Sequence, residues 1–361
     1  MSSFNPELTR SQIFSQIPHV PMEGAHWTAQ GVPDPIDADD DMSMGMLSST
    51  ASLRSSILRA LEENGRKYHG YKDGKYVLPI DEQELERQES QYYLCLETFE
   101  KKLYFAPADR AHRVLDAGCG IDLLGGQNHW ATCCILADVS QIFAILAEQH
   151  PHSEVIGVDL SPIQPTFMPP NAIFQIDDLE EDWNFSFKFD YIHTLMMAGA
   201  FRDWPRFLGQ CHEFLERGGY VEVQDIDFPL RCDDGTMRPD SAVRRWSDLM
   251  MEAGERSGFK LDECGRVADM MRAAGFVDVV RVPFCWPVNR WPRDQRLKQL
   301  GLWAEENFAE GCEAMSMALF TRFMGWTKEE VVDFSARVRA DLSDTSIHAY
   351  FPIYVTYGRK P

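Results

Sequence analysis

An α/β fold with a doubly wound, mostly parallel sheet is predicted for this 361-residue chain. From Arg113 onward, seven short apolar runs alternate with segments of helical periodicity, a pattern typical of parallel strands joined by crossover helices. In addition, the first run ends in a glycine-rich turn, and glycines let a strand turn directly into a helix. The runs cover residues 113–118, 154–160, 172–177, 189–194, 219–227, 277–284 and 353–359.

Helices are predicted between these strands, on both faces of a seven-stranded sheet. Apolar residues recur at helical spacing in segments 143–149, 204–215, 242–257 and 267–274. A longer helical block, about 293–342, precedes the last apolar run. Because this block separates the last two strands along the chain, we expect those strands to pair as a hairpin-like edge.

The chain before the first strand is expected to divide into a tail and a lid. Residues 1–50 contain few aliphatic residues and an acidic run, so we expect a loosely ordered tail. Residues 51–361 are expected to form one domain, with an N-terminal helical lid at 51–110 and a helical insertion at 285–345. The lid helices are predicted over 49–63 and 81–101.

Composition excludes several classes of protein. The net charge is −21, from 56 acidic and 35 basic residues, so direct nucleic-acid binding is not expected. The nine cysteines include no CxxC pair, which argues against a zinc site or a disulfide framework, and no metal is expected. The sequence offers neither a signal peptide nor an apolar run of about 20 residues, so we expect no membrane partner and a cytoplasmic or nuclear location.

The turn after the first strand is the first candidate ligand site. The strand ends in Asp116, followed by Gly118 and Gly120. Glycines here let the backbone lie against a ligand, and a helix that follows such a turn presents free amides to it. An ordinary strand-to-helix turn would show the same spacing, but the pattern favours the ligand-binding interpretation.

Acidic residues follow the next two strands. Asp159 ends the second strand, where a carboxylate can accept both hydroxyls of a ribose. Asp177 and Asp178 follow the third strand and could lie beside an adenine amino group. For each site the alternative is a solvated acidic residue, and for Asp177 and Asp178 the two interpretations are equally good.

The fourth strand ends in FDYIHTLMMAGAFRDW, where His193 and Met196 are expected to face a cofactor or substrate. A lone histidine at a strand end is more often a packed or hydrogen-bonded residue than a base. Three aromatic residues of the predicted lid, Tyr68, His69 and Tyr71, are alternative candidates for a base.

Several long motifs lie between about residue 50 and the C-terminus. They are NGRKYHGYKDGKYVLP, VLDAGCG, VIGVDLSPIQP, PPNAIFQIDDLEEDW, FDYIHTLMMAGAFRDWP, GGYVEVQDIDFP, ALFTRFMGWTKEEV and FPIYVTYGRKP. Together they resemble the fungal LaeA-like methyltransferases, which implies a Rossmann-like class I methyltransferase fold with S-adenosyl-L-methionine as cofactor. By position, the resemblance implies that Asp116, Gly118 and Gly120 line the methionine part, that Asp159 holds the ribose, and that Asp177 and Asp178 lie on the adenine side.

The sequence departs from the family pattern at two places. The family has a third glycine and then a helix after the turn, whereas here residues 121–141 intervene. Either this is a real insertion, with Gly125 or Gly126 replacing that glycine and Asn128 capping a long helix over 129–149, or it is the translation of an unspliced intron. The other departure is Leu195, where relatives often have arginine.

These observations predict an S-adenosylmethionine-dependent methyltransferase that acts on a small molecule, as a tailoring enzyme of fungal secondary metabolism. The alternative is a LaeA-like regulatory protein that keeps the fold, has weak or no catalysis and acts with a regulatory protein partner. A dehydrogenase that uses NAD fits poorly, because its glycine motif would need glycine where Leu123 stands.

Overall fold

The computed structural model describes residues 60–120, 146–148, 150–161 and 169–361. The predicted tail at 1–50 and the segment 121–141 lie outside the described residues, as do most of the predicted helices over 143–149 and 129–149. Among the residues described, no helix has the length and apolar character needed to cross a membrane.

The predicted seven-stranded sheet is confirmed, with strand order β5-β4-β3-β6-β7-β9-β8. The first five strands in this order are parallel, and β9 runs antiparallel between β7 and β8. The last two strands therefore pair antiparallel at one edge, as expected. The strands are β3 (Arg113–Ala117), β4 (Glu154–Asp159), β5 (Ala172–Ile176), β6 (Phe189–Leu195), β7 (Leu215–Ile226), β8 (Val277–Pro287) and β9 (Tyr350–Arg359).

Six α-helices have both ends among the described residues, and local signals mark several of these ends. Asp203 accepts a hydrogen bond from the amide of Arg206 at the start of α2, and Gly258 ends α3 with a φ of +83°. The helical insertion before the last strand consists of α5 and α6. The helices are α1 (Glu82–Thr98), α2 (Trp204–Phe214), α3 (Ala242–Ser257), α4 (Val267–Ala273), α5 (Gln295–Met324) and α6 (Lys328–Leu342).

The sheet is buried on both faces, as a parallel sheet requires. On one face, Leu115 and Ile192 pack with apolar side chains of α2 and α4, such as Phe207 and Met271. On the other face, alternate strand residues pack with the segment 104–111 and with Ala147. Asp116 is the second-last residue of β3, so it lies at the carboxyl edge of the sheet.

The predicted helix over 49–63 is wrong at its C-terminal end. Residues Ala60–Glu63 form strand β1, which pairs antiparallel with β2 (Arg66–His69). The connecting turn is Asn64-Gly65, and both residues have positive φ, +54° and +80°. Such a two-residue turn matches the twist of the flanking strands, so the turn overrides the helical spacing of the leucines and isoleucine before it. Among its described residues, 60–110, the predicted lid therefore begins with a hairpin and continues through a loop into α1.

Candidate functional site

The structure brings all six predicted binding residues to the wall of one cavity of about 310 Å³. The cavity lies at the carboxyl ends of the parallel strands, where ligands of doubly wound sheets bind. It continues from there between α1, α3 and α5. The six residues are Asp116, Gly118, Gly120, Asp159, Asp177 and Asp178.

The backbone conformation of the turn after β3 favours glycine. Gly118 and Gly120 have φ values of +74° and +79°, which side chains disfavour. A Cβ on Gly118 would also press against the flexible end of the Met197 side chain, which would have to move. The amide of Gly118 donates to the carbonyl of Val158 at 2.8 Å, so the turn is bonded to the end of β4.

Asp159 fastens the glycine turn from the neighbouring strand. Its Oδ2 accepts from the amide of Gly120 at 2.9 Å, and its Oδ1 accepts from the amide of Ser161 at 2.8 Å. Burial raises the pKa of Asp159 above its ordinary value, and the amide bonds act against that rise. Since a carboxylate offers about four acceptor positions, these amide bonds still leave acceptor capacity for a ligand.

Asp116 is held by a buried histidine. Nδ1 of His193 lies 2.8 Å from Oδ1 of Asp116, and the two residues are direct neighbours across β3 and β6. On its other side, His193 is paired across the sheet with the buried Glu222. Oδ2 of Asp116 is buried and has no hydrogen-bond partner among the described residues.

His193 therefore holds Asp116 in position. The prediction that its side chain faces the cavity is wrong. Its side chain is fully buried, and it is absent from the cavity wall, which Met196 does line. Burial lowers the pKa of His193, but the hydrogen bond and charge of Asp116 and the charge of Glu222 outweigh it, so the pKa is raised. The charged imidazolium is thus favoured between two carboxylates.

The two carboxylates predicted on the adenine side have different partners. Asp178 is buried and lies 3.2 Å from Nζ of Lys72 and 3.1 Å from Nζ of Lys75. Burial acts to raise the pKa of Asp178, but the Glu180 amide and the two lysines lower it overall. Asp177 is exposed, and its Oδ1 accepts from the amide of Asp178 at 2.8 Å. Asp178 thus anchors the lid, and Asp177 is the freer acceptor.

Of the three lid residues predicted as a base, only His69 reaches the cavity wall. It is buried, and neither ring nitrogen has a hydrogen-bond partner among the described residues. Burial lowers the pKa of His69, so the neutral imidazole is favoured. Tyr68 instead packs against Arg322. The guanidinium carbon of Arg322 lies 4.9 Å from the centroid of the Tyr68 ring.

Sequence reasoning missed the second half of the cavity. Its wall comes from one face of α1 and from apolar residues of α3 and α5. The inner face of α1 is polar, so its sequence gave no sign that it is buried. The residues that line this half include Arg87, Gln88, Gln91, Tyr92, Cys95, Met250, Phe308 and Leu319.

Comparison with known proteins identifies the family. A family described as a methyltransferase domain matches residues 87–281, which include the glycine turn and all six predicted site residues. The methyltransferase pytC of Aspergillus terreus is 36% identical over 92% of this chain and 98% of its own length. The chain belongs to the LaeA-like methyltransferase family.

Other relatives in this family have different stated roles. The secondary metabolism regulator LAE1 of Cochliobolus heterostrophus is 33% identical over 83% of this chain and 94% of its own length. The protein-methionine methyltransferase laeA of Emericella nidulans is 30% identical over 93% of this chain and 85% of its own length. The protein is thus a methyltransferase whose relatives include both another fungal methyltransferase and regulators of secondary metabolism.

Proposed function

We propose that the protein binds S-adenosyl-L-methionine in the acidic half of the cavity and methylates a small molecule held in the other half. One observation carries this proposal. Carboxylates that end three neighbouring parallel strands, Asp116, Asp159 and Asp177, converge with the glycine turn on a single cavity. A cluster of negative charge of this kind favours a cationic sulfonium ligand.

Each residue of the acidic half suits one part of that cofactor. The backbone at Gly118 and Gly120 would lie along the methionine part, and the unpaired Oδ2 of Asp116 would accept from its ammonium group. Asp159 would accept from the ribose hydroxyls, and Asp177 would accept from the adenine amino group. Asp178 would hold the lid loop beside the adenine through its ion pairs with Lys72 and Lys75.

The chemistry divides between cofactor and protein. When bound, the cofactor would supply an electrophilic methyl group on a positively charged sulfur. The protein would hold the acceptor next to that group and shield it from water, so that a bimolecular reaction becomes effectively intramolecular. No side chain needs to form a covalent intermediate, and His69, which lines the cavity as a neutral imidazole, would accept a proton when the acceptor is a hydroxyl.

Substitution of Asp159 tests the proposed cofactor site. Asp159→Ala should weaken S-adenosylmethionine binding by about 1–3 kcal/mol, because hydrogen bonds to a charged acceptor are lost. Calorimetric titration of the purified full chain measures this change. Asp182→Ala, at a side chain that is 98% exposed, is the matched control and should bind as the unsubstituted chain does. Unchanged affinity in a folded Asp159→Ala protein would rule out the ribose role.

We assign the acceptor to fungal secondary metabolism, as a tailoring substrate. Support comes from the match to pytC over nearly the whole of both chains and from the cavity, whose size and largely apolar wall are typical of a small-molecule site. Incubation with candidate metabolites from neighbouring biosynthetic genes, followed by mass spectrometry, should show transfer of one methyl group.

A methionine thioether is the second candidate acceptor, in keeping with the name of the Emericella nidulans relative. Met196 and Met197 both line the cavity, and Sδ of Met197 lies against Gly118. The intact mass of the protein after incubation with S-adenosylmethionine alone separates the two candidates. A gain of one methyl group that Met197→Leu abolishes supports self-methylation, whereas the tailoring function predicts an unchanged mass.

A further inference from the structure

The inner face of α1 carries a polar cluster that the proposed cofactor does not need. Glu84, Arg87, Gln88 and Gln91 recur at spacings of three and four residues, so they share one face of the helix. Arg87, Gln88 and Gln91 line the cavity beyond the acidic half. Gln91 is only partly buried, and its position makes it accessible to a ligand.

Arg87 has its charge balanced within this cluster. Its Nε donates to both carboxylate oxygens of Glu84, at 3.1 and 3.0 Å, and its Nη2 donates to Oε1 of Glu84 at 2.7 Å. Both residues are buried. A guanidinium neutralised in this way offers little net attraction to an anion, so the cluster is not a carboxylate-binding site.

The orientation of Gln91 follows from the same network. Nη1 of Arg87 donates to Oε1 of Gln91 and to Oδ1 of Asn307, each at 2.8 Å. Since the carbonyl oxygen of Gln91 is occupied by Arg87, its amide nitrogen is left to donate hydrogen bonds into the cavity. The cluster therefore presents a neutral donor to whatever molecule occupies this half.

The remaining wall is largely apolar. Tyr92, Phe308 and Leu319 surround the donor with apolar surface. Glu89 also lines the cavity, and it has a bonding partner within the chain. A charged ligand would lose its hydration against this wall, whereas an apolar molecule with an uncharged hydrogen-bond acceptor satisfies both the wall and the donor.

We propose that this half of the cavity selects an uncharged, largely apolar substrate bearing a carbonyl oxygen, and that the amide of Gln91 donates a hydrogen bond to that oxygen. Gln91 is thus a specificity-determining residue. The inference rests on the proposed function, since it names the substrate class of the same cavity, but binding can be measured without turnover.

Three fluorescent probes that share one ring system test the inference. They are 6-acetyl-2-naphthol, which has the carbonyl oxygen, 6-ethyl-2-naphthol, which lacks it, and 6-hydroxy-2-naphthoate, which is anionic. Each is titrated into the full chain with saturating S-adenosylhomocysteine, and binding of that nucleoside is measured separately by calorimetry. Failure to bind the nucleoside would count against the proposed function, whereas the order of the probes bears on the substrate class.

The unsubstituted chain should bind the acetyl probe about tenfold more tightly than either other probe, as one buried hydrogen bond allows. Gln91→Leu should reduce this preference to about twofold or less. Gln91→Glu should also reduce this preference to about twofold or less, because it removes the amide donor. It keeps an oxygen that accepts from Arg87, so it remains informative if the leucine variant misfolds. Gln83→Leu, at an exposed position of the same helix, should keep the full preference.

Three results would overturn the inference: a carboxylate probe that binds as tightly as the ketone, a preference that survives both Gln91 substitutions, or no binding of any probe to a chain that binds S-adenosylhomocysteine.

Discussion

At the scale of single residues, the protein holds its glycine turn and Asp116 by contacts from neighbouring strands. Asp159 accepts from the amide of Gly120, and His193 binds Asp116 from β6. Glu222 accepts from the amides of Phe105 and Ala106 on the same side of the sheet. The acidic half of the cavity is therefore fixed by buried hydrogen bonds, which favours a site formed before the ligand binds.

The Asp116–His193 pair should make stability depend on pH. The pKa of His193 is raised in the folded chain, so its contribution is fully present below the ordinary histidine pKa of about 6.5 and is lost as pH rises through the folded value. His193→Gln should cost about 3–5 kcal/mol of unfolding free energy at pH 6, and less at pH 9. Urea unfolding at the two pH values measures this.

His152→Gln provides the control for that experiment, since His152 is exposed on the turn before β4. It should change stability little at either pH. A cost for His193→Gln that is equal at pH 6 and pH 9 would show that the charged imidazolium does not contribute.

At the scale of elements, the loop after the β1–β2 hairpin closes one side of the cavity. Lys75 and Tyr76 line the wall, and Lys72 and Lys75 bind Asp178. Lys75 also binds Glu180 at 3.1 Å. The loop is thus fastened to the segment after β5 by ion pairs that are partly shielded from water.

Removal of both lysines should loosen this loop. In the Lys72→Met, Lys75→Met double variant, amide hydrogen exchange over 70–80 should be about fivefold faster, because ion pairs of this kind contribute about 1 kcal/mol in total. Exchange in β3 should not change. Arg238→Met, which removes an exposed ion pair with Asp240, is the control. Unchanged exchange over 70–80 would mean that packing alone holds the loop.

Helices and strands could be predicted from the sequence where one pattern of apolar residues was clearly stronger than any other. The alternation of apolar runs and helical segments gave all seven strands of the sheet, because a buried parallel strand is a short, continuous apolar run. The hairpin was missed although Asn64-Gly65 is a strong turn signal, since its strands are only four residues long and lack clear alternation. Helical spacing of the residues before Ala60 outweighed that signal.

At the scale of the whole molecule, the sequence located only the half of the cavity that strand ends define. Residues at the carboxyl ends of neighbouring parallel strands must lie together, so Asp116, Asp159 and Asp177 could be grouped without a structure. The other half is made where α1 and α3 both pack on α5, and α1 precedes those two helices by more than 100 residues. Nothing local in α1 marks Arg87 as buried or Gln91 as part of a cavity wall, because both are polar residues in a polar helix.

The segment 121–141 is the largest departure from the family pattern, and it lies outside the described residues. We expect it to be dispensable for cofactor binding or harmful to it, since family members pass from the glycine turn directly into a helix and long structureless loops are uncommon in compact domains. A chain in which Thr-Gly replaces 121–141 should bind S-adenosylmethionine more tightly in a calorimetric titration.

Sequencing of the mature transcript gives an independent test of this segment. A message that lacks the 21 codons would confirm the intron interpretation. A message that encodes them, together with loss of binding in the shortened chain, would show that the segment is a functional element.

The most direct test of the central claim is a crystal structure of the full chain with S-adenosylhomocysteine. The account predicts ribose hydroxyls within hydrogen-bonding distance of Asp159, the amino-acid part beside Gly118 and Asp116, and the sulfur facing the half of the cavity that α1 lines. A nucleoside bound elsewhere, or a ribose more than about 3.5 Å from the Asp159 carboxylate, would contradict it.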